Sequence, residues 1–109
     1  MSAPQFNRLR PFSALTEAGI TSSNTLTVGF ACACRVTIKA WDAGDSDVTP
    51  RPFLALPNAS SSPYTVSAGS LGIFDVSAHD QIILSPTAAD NTLSFSVSVE
   101  RFPTYRAGE

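Results

Sequence analysis

Leu93-Ser94-Phe95-Ser96-Val97-Ser98-Val99-Glu100-Arg101 decides the fold, because apolar and polar side chains alternate along it. In an extended chain successive side chains point to opposite faces. Leu93, Phe95, Val97 and Val99 therefore share one side, with Arg101 at the end of that parity, and Ser94, Ser96, Ser98 and Glu100 share the other. Hiding the four apolar side chains contributes on the order of 6 to 12 kcal/mol before entropy is subtracted, at roughly 1.5 to 3 kcal/mol each. The stretch reads as a strand with one face on a core and one face of hydroxyls.

The same period of two recurs upstream. Leu26, Val28 and Phe30 oppose Thr25, Thr27 and Gly29; Cys34, Val36, Ile38 and Ala40 oppose Arg35, Thr37 and Lys39. Between those runs, residues 30–34 carry no polar turn residue, so a bulge, one long bent strand and a hairpin all stay open. Residues 53–56 and 81–84 are short apolar strands, the second ended by Pro86. Residues 64–67 and 71–76 flank Ala68-Gly69-Ser70, a hairpin signal. Ser and Thr together number 25 of 109 residues, eight prolines and six glycines punctuate the chain, and no window holds a helical apolar stripe. Seven or eight short strands with regular turn signals predict an all-β fold, a single β-sandwich of jelly-roll type.

Residues 1–23 read differently, as an extended N-terminal arm ahead of a sandwich at 24–109. Pro4 and Pro11 break any helix there, Phe6, Leu9 and Phe12 are spaced apolar residues, and Arg8 and Arg10 add charge. Residues 13–18 have room for one helical turn before Gly19.

Composition removes several functions. A length of 109 residues holds one domain. A charged share of 15% and a net charge of −2 leave no general basic surface, so nucleic acid is not an expected partner. No run approaches the roughly 20 apolar residues of a membrane helix, and residues 1–12 lack a signal-peptide pattern, so the chain is expected to be made and kept in a cytosol. Asn58-Ala59-Ser60 is then a chance match to a glycosylation acceptor.

Chemistry-bearing residues are few. Cys32 and Cys34 stand two apart on an apolar segment, too stretched for an easy disulfide, and read as free thiols. With His79 the single histidine, a closed zinc site is not expected, and no cofactor is implied. Asp42, Asp45 and Asp47 crowd one loop but lack EF-hand spacing, so a solvated acidic loop is preferred over a cation site. His79-Asp80 lies among many serines, none marked as a nucleophile by a Gly-x-Ser-x-Gly turn. The preferred reading is His79 in a turn, with Asp80 bonding local backbone. Arg35, Lys39 and Trp41 share the outward parity of one strand, with Trp41 covering a core edge or an intersubunit contact.

Charge is unevenly placed. Residues 1–40 hold Arg8, Arg10, Arg35 and Lys39 against Glu17, a balance of +3, whereas residues 41–90 hold six aspartates against Arg51, a balance of −5. In a symmetric oligomer such asymmetry can let the arm of one copy lie on its neighbour or on an acidic scaffold, and the alternative is an arm folded back on its own sandwich or simply mobile.

The Ser/Thr/Ala-rich sandwich, with Val66-Ser67-Ala68-Gly69-Ser70-Leu71-Gly72-Ile73-Phe74-Asp75-Val76 followed by Asp80-Gln81-Ile82-Ile83-Leu84, resembles the small structural proteins of tailed-phage virions, the capsid decoration or cement type. The resemblance is architectural and implies no catalytic residue. It implies a virion protein made in the host cytoplasm, a homo-oligomer with a trimer favoured, and the major capsid protein or another virion protein as partner. A neck or tail component and a small module recognising a glycan or host surface are the alternatives. On this reading Phe6, Arg8, Leu9, Arg10 and Phe12 grip the scaffold, while Trp41 and Phe102 meet neighbouring copies.

Overall fold

The computed structural model describes residues 5–10, 12–42, 49–58, 62–88 and 91–101, the first four as backbone alone. The described residues form nine strands: β1 (Gln5–Leu9), β2 (Ala14–Ile20), β3 (Leu26–Phe30), β4 (Cys34–Asp42), β5 (Phe53–Pro57), β6 (Tyr64–Val66), β7 (Gly72–Val76), β8 (Gln81–Pro86) and β9 (Leu93–Arg101). They build a first sheet in the order β1-β3-β8-β5-β6 and a second in the order β2-β9-β4-β7. All pairings are antiparallel except β1 with β3.

The pairs β2·β9, β3·β8, β4·β7 and β5·β6 are nested, as in one long hairpin folded at the β5–β6 tip. Wrapping that ribbon adds the pairs β4·β9 and β5·β8, so that alternate rungs fall in opposite sheets. The result is a jelly roll, the architecture the strand pattern predicts. Its core is the set of inward parities: Leu26, Val28 and Phe30 on β3, Cys34, Val36 and Ile38 on β4, and Phe95 and Val97 on β9 have no exposed surface. At the centre Phe53 from the first sheet meets Phe95 from the second edge to face, ring centroids 5.4 Å apart at 88°. Gly72 lets β7 close on this pair, since a Cβ there would stand 3.1 Å from Phe53 Cζ and 3.0 Å from Phe74 Cε2.

Four local expectations need correction. The described part of residues 1–23 does not stand off the sandwich. Gln5–Leu9 extends the first sheet beside β3, and Ala14–Ile20 extends the second beside β9. Residues 13–18 hold no helical turn, because Leu15 and Ile20 gain more by joining the core, where Ile20 is fully hidden. Residues 31–33 form neither hairpin nor bulge; the bend carries the chain from β3 in one sheet to β4 in the other. Ala68-Gly69-Ser70 does turn, with Gly69 at φ +82° and Ser70 N–H donating to the Ser67 carbonyl at 3.0 Å. It too switches sheets, placing β6 and β7 in different layers instead of pairing them.

Candidate functional site

Each sheet ends in strands that pair on one side only among the described residues. At one side of the sandwich lie β6 and β7, at the other β1 and β2. Inward-pointing Gly72 and Val76 are buried and Phe74 is half-buried, as the β7 period demands. Outward-pointing Ile73 is 58% exposed, Leu71 just before the strand is 53% exposed, and Tyr64 on β6 is 54% exposed. The outward side of β7 thus carries Ile73 beside the ion-paired Asp75, with Leu71 just before the strand, and exposed apolar side chains on an edge are surface a partner can cover.

The Tyr64 and Phe74 rings approach to 6.0 Å and wall a cleft of about 490 Å³ that runs between the two sheet edges. Ile73 and Pro57 add apolar surface, and Asp75 and Asp80 add carboxylates. Asp75 is partly committed to its β4 neighbour, accepting from Arg35 Nε at 2.8 Å and Nη2 at 3.2 Å. That hydrogen-bonded pair lowers the Asp75 pKa and raises that of Arg35. Asp80 Oδ2 accepts the Ser77 N–H at 2.8 Å, closing the β7–β8 turn. A second hollow of about 240 Å³ lies further along, lined by Lys39, Trp41, Pro50 and Leu71. There the Trp41 ring faces outward opposite Ser94, with Lys39 Nζ 5.5 Å from its centroid. Trp41 and Tyr64 border separate hollows, so they form no single aromatic patch.

The remaining expected contact residues scatter. Leu9 is 8% exposed and belongs to the core, so it is not presented to a scaffold. Phe6 and Arg8 sit on β1, their side chains outside the described residues, as is all of Phe102. Arg10 is exposed, and Phe12 is 81% exposed at φ +68°. Leu71 and Ile73 were not among the expected contacts. Their signal was the doubly apolar pattern of residues 71–76, which a hairpin reading absorbs.

His79 is exposed at φ +72°, its N–H donating to the Phe30 carbonyl at 2.8 Å. Cys32 and Cys34 are free thiols, and burial first, then the neighbouring Cys32, pushes the Cys34 thiol pKa up. Asn58 Oδ1 accepts the Gln81 N–H at 2.6 Å, tying β5 to β8. Asp42 bonds Arg51 at 3.1 Å; the rest of the acidic loop, 43–48, lies outside the described residues. No cluster of metal-ligating side chains occurs among the described residues.

No family model and no curated protein matches the chain. Among solved structures, the pre-peptidase C-terminal domain of collagenase from Bacillus anthracis is similar, with a TM-score of 0.56 and 11% identity over 92% of this chain and 99% of that one. At that identity the likeness concerns the fold, a β-sandwich.

Proposed function

We propose that the chain is a non-enzymatic structural subunit, a homo-oligomer with a trimer favoured, that docks on a larger protein shell as the phage decoration proteins it resembles do. The observation that supports this most is the set of exposed apolar side chains, Tyr64, Leu71 and Ile73, on the side of the sandwich where β6 and β7 are the edge strands. Exposed contiguous apolar surface marks sites of association. The action would be burial: each copy adds a modest contact, and attachment of a whole ring raises the effective concentration of every remaining contact.

Light scattering over a dilution series tests this reading. An oligomer at tens of micromolar is expected, and a strict monomer counts against it. A second reading, a small glycan-binding module, draws on the hollow beside Trp41, where an aromatic face and a hydrogen-bonding cation adjoin. A glycan array on which Trp41→Ala abolishes a wild-type signal would favour that reading instead.

A further inference from the structure

Phe12 is the most conspicuous irregularity in the described chain. It stands just before Ser13, whose N–H donates to the Arg10 carbonyl at 3.1 Å. With φ at +68° that position suits Gly or Asn, and a bulky ring there is strained. The turn is nonetheless pinned: Phe12 N–H donates to the Val99 carbonyl at 2.7 Å, and Val99 N–H donates to the Ser13 carbonyl at 2.9 Å. The ring is 81% exposed, so packing within its own subunit does not repay the strain. Strain held by a well-bonded scaffold is a signature of a working site.

An acceptor of matching chemistry lies on the opposite side of the molecule. The cleft between β6 and β7 offers Tyr64, Ile73 and Phe74 to a ring, with Asp75 and Asp80 at its border. Arg10, exposed at the start of the Phe12 turn, has no ion pair among the described residues. The turn joins β1 to β2 and the cleft joins β6 to β7, so three strand spacings, about 14 Å, separate β2 from β7 across the second sheet. Phe12 does not reach the cleft of its own subunit.

We infer that Phe12 is an aromatic anchor that enters the β6–β7 cleft of a second copy of this chain, with Arg10 meeting the carboxylates at its border. The inference rests on the assembly reading above and specifies its contact. Donor and acceptor surfaces differ, so the contact is head-to-tail, the kind that closes into rings.

Three proteins test it: the wild type, Phe12→Gly and Ile73→Lys, compared by light scattering over a dilution series and by thermal melting at concentrations too low for association. Phe12→Gly is expected to melt at the same temperature or higher, yet to need at least tenfold more protein to associate. Ile73→Lys is expected to melt like the wild type and to associate equally poorly. Mixing the two variants restores one intact junction per pair, so one-to-one dimers are expected from two proteins that are each monomeric. An oligomer indifferent to both substitutions overturns the Phe12 contact while leaving assembly standing, and a wild-type monomer overturns both. A variant pair that fails to complement also overturns the head-to-tail contact.

Discussion

The two edges of the second sheet are finished in opposite ways. On β2 the register slips between Glu17 and Ile20, so two residues, Ala18 and Gly19, oppose Ser94 alone. Gly19 takes φ +77° there, Asn24 Nδ2 donates to its carbonyl at 2.9 Å, and Glu17 lies half-buried on the inward parity opposite Phe95. A bulge and an inward charge both discourage a foreign strand. On β7 the register with β4 runs unbroken from Val76 to Gly72, and the outward positions carry Ile73 and Asp75, with Leu71 exposed just before the strand. The β2 edge is closed against addition of a strand, and the β7 edge is regular.

Truncating an isoleucine on each edge strand probes the contrast most strongly. Ile20→Ala on β2 empties a fully buried site and is expected to cost about 2–5 kcal/mol in chemical denaturation. Ile73→Ala on β7 should stay within about 0.5 kcal/mol, as an exposed position does. Equal losses would mean that Ile73 packs as core, and the contrast between the edges would fail. Gly19→Ala addresses the bulge itself. Open space surrounds the position, so only the left-handed backbone is penalised, by about 1–2 kcal/mol. A neutral result would show that the bulge is not held in that conformation.

The smallest effect concerns the ion pair at the β7 edge. Asp75 has a folded pKa below its ordinary value of 3.8, so the pair stabilises above that value and the benefit disappears as pH falls through the folded pKa. The stability gap between wild type and Asp75→Asn is expected to be small at neutral pH and to shrink in acid. Both side chains remain partly open to solvent, so added salt should also narrow it. A gap that widens in acid contradicts the assignment of Arg35 as the partner.

Much of the core was legible because burial follows parity. The inward sets on β3, β4 and β9 are those the alternation names, and Ser98 and Lys39 are exposed as their positions require. Ser94 is the exception, 6% exposed on the outward parity, where the bulged edge and Trp41 flank it. The β1–β2 side was less legible. The sequence names Leu9, Arg10 and Phe12 together as contact residues, and Arg10 and Phe12 are exposed, but Leu9 beside them turns inward because β1 pairs with β3.

What the sequence determined by itself is the strand period and the inward face of each long strand, since alternation is a property of the extended backbone and needs no partner. Only the tertiary structure decided which strands pair and in which sheet. The rung Cys34↔Val76 and the rung Ala14↔Ser98 join residues far apart in the chain, and a turn such as Ala68-Gly69-Ser70 reverses direction without specifying a layer. That choice falls to the burial of Phe53 against Phe95, a contact between sheets that no local pattern encodes.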